Sequence, residues 1–146
     1  MKKLKYPPGT IVKIPLQSGE HTYGRRLLET YVEVYDAKSE DDSEDFSKIV
    51  LKPKLFIVSV YTSTFKKALW EEVGFVELDD ESRKLPLEFM QDIVDPRKCA
   101  IVDFWGNETP ATIDECRGLE SHSIWNANAV EDRINAYYEG RIDPGT

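Results

Sequence analysis

Histidine and cysteine are scarce in this chain, two of each, and that scarcity closes most routes to catalysis. His21 and His122 are far apart. Ser121-His122-Ser123 sets hydroxyls beside an imidazole, yet sequence neighbours rarely point at one another, and a triad is defined by geometry. A surface or helix-entry role is the reading for His122. The spacing of Cys99 and Cys116 matches no zinc or redox motif, and in a reducing compartment a disulfide between them is disfavoured, so both read as reduced structural thiols. No glycine pattern cradles phosphate, since Gly9, Gly19 and Gly24 fit neither a P-loop nor a dinucleotide fingerprint. The lysines form no basic stripe, which argues against direct nucleic-acid binding. There is no apolar run of membrane-spanning length and no apolar segment behind a charged start, so the expectation is a cytoplasmic protein without membrane contact. Carboxylates are plentiful, but they cluster without the apolar frame that would raise a pKa for acid–base work. The residues favour a binding protein with no catalytic residue, cofactor or metal.

What the chain has in excess is acid. Its formal charge is −8, and between Asp36 and Asp45 six acids face one lysine, a local net of −5. Asp36, Glu40, Asp41, Asp42, Glu44 and Asp45 make this an acidic loop over 36–47, and Asp79, Asp80 and Glu81 form a second cluster. Such charge repels nucleic acid and draws basic partners, including proteins that themselves bind nucleic acid. A solvated loop with no partner accounts for the same composition.

With 146 residues and 40% hydrophobic content, one domain spanning 1–146 is expected. Val12, Ile14 and Leu16 alternate in a strand over 10–16, where Pro15 marks an edge position or the strand's end. A second strand resumes at Tyr23, with Gly24 at a bulge or a close backbone approach. Val32 and Val34 face one way and Tyr31, Glu33 and Tyr35 the other, in a half-buried strand. The acidic segment follows as a mobile loop. Leu55 to Tyr61 is almost wholly apolar and predicts a central strand covered on both sides. Residues 62–72 read as a short helix or a turn ended by Gly74, and strands are expected at 75–78, 87–91 and 98–105. A helical turn is expected at 113–116.

The clearest signal comes last. Val130, Ile134, Tyr137 and Tyr138 fall on one stripe of a helix over 127–138. Asn126 or Asn128 caps its start, with Glu131 placed to close a capping box on Asn128. Trp125 staples Val130, and Gly140 stops the helix. Arg133 lies beside the stripe, free to reach Glu120 or Glu115 internally or to project toward a partner; Trp70 and Trp105 are core residues or interface anchors. The fold class is α+β: a bent antiparallel sheet, or a partly closed barrel, packed against a C-terminal helix.

Certain residues carry a resemblance. Gly9 to Leu16 with Tyr23-Gly24-Arg25 resembles the opening of the immunity protein 26 family of bacterial polymorphic toxin and contact-dependent inhibition systems. Gly118-Leu119-Glu120, Ile124-Trp125, Val130 to Ile134 and Gly140-Arg141 look like its closing motif, and Leu55-Phe56, Trp70 and Gly74 fit between. Gly24, Leu119, Glu120, Trp125, Arg133 and Gly140 are then motif positions of mainly structural role. Ala129 departs from the pattern, which has a larger polar residue there, and the insertion around Glu40 to Asp45 is long. The resemblance implies a stoichiometric inhibitor of a toxin's C-terminal domain, often a nuclease, whose basic surface the acids at 36–45 and 79–81 would meet. A small non-catalytic adaptor binding a host protein or peptide is the alternative.

Overall fold

Alternating apolar residues at Val12, Ile14, Val32, Val34, Phe56 and Val58 build the larger of two sheets in the computed structural model, which describes residues 6–42 and 45–141. Glu44 lies outside the described residues. In chain order the elements are β1 (Thr10–Pro15), β2 (His21–Arg26), β3 (Tyr31–Tyr35), α1 (Phe46–Ile49), β4 (Lys54–Val60), α2 (Ser63–Lys66) and β5 (Glu71–Phe75). They continue as β6 (Glu88–Gln91), β7 (Cys99–Val102), β8 (Glu108–Ala111), α3 (Ile113–Cys116), β9 (Glu120–Ser121), β10 (Ile124–Trp125) and α4 (Ala127–Tyr138). Six strands join in the order β10-β4-β3-β2-β1-β5 and four in the order β8-β7-β6-β9. The α+β class is as the sequence implied. The strands divide between two sheets and do not close into a barrel.

β1 to β4 form an antiparallel meander, and β5 returns along the free side of β1. β1 is therefore internal, and Pro15 is tolerated because it is the last residue of the strand. Gly24 marks a close approach: a Cβ there would stand 3.0 Å from Val32 Cγ1. One face of this sheet packs on α4, through Val12, Ile14, Val32, Phe56, Val58 and Val60 against Ala127, Val130 and Ile134. Fully burying Val130 and Ile134 is worth roughly 2 kcal/mol each by apolar transfer.

The opposite face is covered as well, which corrects the half-buried reading of 31–35. Every residue of β3 is buried. Tyr23 and Tyr35 pack with Ile49 and Phe46, so α1, at the end of the acidic segment, is a lid on the sheet and not part of a mobile loop. Further along, Tyr31 packs with Leu27, Leu78 and Phe104, where the smaller sheet adjoins. The buried Glu33 carboxylate gathers an ionic network: Arg25 Nη2 meets its Oε2 at 3.2 Å, the part-exposed Lys54 reaches its Oε1 with Nζ at 3.4 Å, and the Tyr35 hydroxyl donates to it. Burial, and then the Glu33 charge, push the Tyr35 phenol above its usual range.

β5 replaces the expected strand at 75–78. Gly74 lies inside this strand instead of ending a helix, because a Cβ there would collide with the Phe46 ring that seals the sheet. The short strand in the 98–105 window ends at Val102, and Trp105 is 74% exposed with its ring against Phe104. Trp70, by contrast, is core.

α4 follows its sequence signal closely. Asn126 is the cap, accepting from the Ala129 N–H at 2.7 Å. Beyond Tyr138, Gly140 adopts φ +74° and donates to the Tyr137 carbonyl, while Arg141 donates to Ala136, closing a Schellman motif. Glu131 does not close a box on Asn128; its carboxylate accepts the Trp70 indole N–H at 3.2 Å. Burial raises the Glu131 pKa, with the Trp70 hydrogen bond opposing. A carboxyl whose folded pKa exceeds its unfolded one opposes folding while ionised, and that opposition fades as pH falls through the carboxylate range. Glu131→Gln keeps an acceptor for Trp70, so it should raise stability at pH 7, with the gain shrinking toward zero below the ordinary 4.5; urea melts across pH 3–8 would measure this.

Candidate functional site

After β3 the chain turns back, so that Ser39 pairs with His21 of β2 and Asp42 reaches Lys13 of β1. Glu40 there lines a groove of about 700 Å³ with Glu20, Glu71, Glu72, Lys13 and His21. Asp42 lines an adjoining hollow of about 570 Å³ with Glu71, Glu72 and Lys13. Five carboxylates thus share this face with two ammonium groups, Lys38, whose Nζ lies 3.8 Å from Glu20, and Lys13, whose Nζ is held by Asp42 at 2.6 Å. That contact raises the Lys13 pKa and lowers that of Asp42. β5, carrying Glu71 and Glu72, is the outermost strand of the sheet. An anionic groove beside an open strand edge suits a cationic protein surface more than a small metabolite.

The sequence-derived acids separate into different roles. Glu40, Asp41 and Asp42 are exposed, as is Asp45, which pairs with Lys48 beside α1. Asp36 faces inward, accepting hydrogen bonds from the hydroxyls of Tyr138 at 2.8 Å and Tyr137 at 3.4 Å. Burial and the Asp36 carboxylate push the Tyr138 phenol up. Asp36 therefore anchors the C-terminal helix. Asp79 accepts from the backbone and hydroxyl of Ser82, which lower its pKa, so it shapes its own turn; Asp80 and Glu81 are exposed. Among the described residues no hydrogen bond or ion pair joins 79–81 to 36–42. Glu20, Glu71 and Glu72 were not singled out in the sequence. The adjacent pair Glu71-Glu72 was the available signal, hidden by the ambiguity of 62–72.

The positions of the closing motif gather around α4. Arg133 is buried, its side chain 4% exposed, and grips Glu120 of β9 through two hydrogen bonds of 2.7 and 2.9 Å. Its guanidinium lies 4.0 Å from the Phe56 ring centroid and 5.3 Å from that of Trp125. Of the sequence alternatives for Arg133, the internal ion pair with Glu120 is the one present. Leu119, Glu120, Trp125 and Arg133 line an apolar hollow of about 430 Å³ together with Phe89 and Cys99.

His122 Nδ1 is 3.1 Å from Glu88 Oε1, which also accepts from Tyr31 at 3.1 Å. Glu88 is only 3% exposed and spans the two sheets. The hydroxyls of Ser121 and Ser123 bind each other and not the imidazole, so the neighbouring serines form no nucleophile–base couple with it. Among the described residues no group of three or more candidate ligands is placed to hold a metal ion.

The family model for immunity protein 26 matches residues 7–100. The chain belongs to the immunity protein 26 family. In this family member the matched stretch carries β1 to β6, Gly24, and both acidic clusters; Leu119, Glu120, Trp125, Arg133 and Gly140 lie beyond it. Membership gives the protein an immunity function and implies a toxin as partner. Comparison with curated proteins returned no match, and neither did comparison with solved structures. Among the described residues no helix is long and apolar enough to cross a membrane.

Removing Glu120 would take from the buried Arg133 guanidinium the carboxylate that accepts two of its hydrogen bonds. Glu120→Ala is expected to cost about 3 kcal/mol in urea unfolding, at the lower end for a broken buried pair because the Glu120 side chain keeps 23% exposure.

Proposed function

We propose that this immunity protein neutralises a cognate toxin domain, a nuclease, by forming a stoichiometric complex in the cytoplasm without transforming any substrate. The observation that carries the reading is family membership, and the acidic groove supports a docking mode. A nuclease presents a cationic channel to phosphate backbones. A protein surface of opposite sign laid over that channel is steered in quickly and denies nucleic acid its entry. Glu40, Asp41, Asp42, Glu71 and Glu72 are the exposed groups best placed for this, with Asp45, Asp80 and Glu81 extending the anionic surface. Asp36 contributes through the position of the segment and not by touching the partner.

The direct test is co-expression with the C-terminal domain of the adjacent toxin-bearing open reading frame: viability is restored and a complex co-purifies. Failure of both would reject the pairing. Neutralising Glu40, Asp41, Asp42, Glu71 and Glu72 together should slow association about tenfold or more at low ionic strength, with the gap to wild type closing in high salt. The same change made at Asp80 and Glu81 tests the second cluster, and unchanged association rates at low salt would remove either cluster from the interface.

A further inference from the structure

Cys99 and Cys116, read from sequence as reduced structural thiols, are brought together by the smaller sheet. Cys99 opens β7 and pairs with Ala111 at the end of β8. Thr112 then caps α3 with a capping box to Glu115, and the single turn carries Cys116 back over β7. The two sulfurs stand 2.8 Å apart, with Cys99 Sγ also 3.3 Å from the Ala111 carbonyl oxygen. Cys116 is buried and Cys99 is part-exposed, lining both the apolar hollow beside Arg133 and a second hollow with Met90 and Ile93. Both cysteines line the apolar hollow, Cys99 is the more exposed residue of the two, and their sulfurs already touch, so a small oxidant that enters meets the pair.

We propose that Cys99 and Cys116 are a redox couple that closes to an intramolecular disulfide when the protein meets a hydroperoxide. The Cys99 sulfur attacks the peroxide O–O bond and gives up its proton; it takes one oxygen as a sulfenic acid, and the other oxygen leaves and is protonated to water. The Cys116 sulfur then attacks the Cys99 sulfur, forming the S–S bond. The Cys116 proton and the sulfenic hydroxyl leave as a second water. The two sulfurs together lose two electrons, which reduce hydrogen peroxide to water. The order follows from access and protonation: the hydrogen bond with Cys99, and then burial, push the Cys116 thiol up to about 11, so it keeps its proton while the more exposed Cys99 reacts. The bond would fasten α3 to β7 and close the β7–β8 hairpin into a loop. This inference stands apart from the choice of toxin.

The test uses the full chain. After treatment with hydrogen peroxide, both thiols should resist maleimide labelling, the intact mass should fall by two hydrogens, and the protein should remain monomeric on a non-reducing gel. Dithiothreitol should reverse each change. The loop closure should raise the melting temperature by roughly 5–10 °C. Cys116→Ser should trap a dimedone-reactive sulfenic acid at Cys99, while Cys99→Ser should yield none. Thiols that stay alkylatable after peroxide, disulfide-linked dimers, or an oxidised chain that melts no higher than the reduced one would each overturn the proposal.

Discussion

The Arg133–Glu120 pair ties the C-terminal helix and the large sheet to the rim of the small sheet. Arg133 rises from the buried side of α4, and its guanidinium is sandwiched by Phe56 of the central strand and Trp125 at the helix entrance. Its carboxylate partner Glu120 belongs to β9, at the rim of the smaller sheet. Aromatic faces replace water around the cation, and the two-pronged hydrogen bond fixes its direction. The large sheet, the helix and the small sheet are thereby set at one mutual geometry. The Glu88 bridge to Tyr31 and His122 makes a second crossing between the same layers.

Sequence periodicity revealed those elements whose burial is one-sided or total over many residues. α4 was legible almost to the residue because its stripe, its Asn126 cap and its Gly140 stop all agree. β1, β3 and β4 were legible for the same reason. β5 was not: Glu71-Glu72-Val73-Gly74-Phe75 lacks alternation, since an outer strand has one neighbour and little to bury. β9 and β10 have two residues each and exist only because distant strands β6 and β4 accept them in parallel. The second cover of β3 escaped notice because Phe46 and Ile49 hide at the end of an acid-rich stretch.

The acids show the same division between composition and geometry. Charge density marked the 36–45 segment correctly as a surface feature, but it could not separate Asp36, which serves the helix from a hundred residues away through Tyr137 and Tyr138, from Glu40 and Asp42, which face outward. Nor could it add Glu20, Glu71 and Glu72, whose neighbourhood is made by the β1–β5 pairing. In this immunity protein the anionic face is assembled by strand order, and the Ser39–His21 pairing and the Lys13–Asp42 ion pair hold 39–42 in a defined relation to the sheet. Pre-positioned charge loses less freedom on association than charge on a wandering loop.

Residues 120–125 deserve a mechanical reading. Within six positions the chain pairs with β6 of one sheet at Glu120-Ser121 and with β4 of the other at Ile124-Trp125, then enters α4 through Asn126. The segment acts as a tendon: tension or displacement at the small sheet is delivered to the helix entrance, with no slack loop between to absorb it. A partner that tilts the small sheet would therefore tug on the same helix whose far end, through Tyr138, tethers the start of the acidic segment.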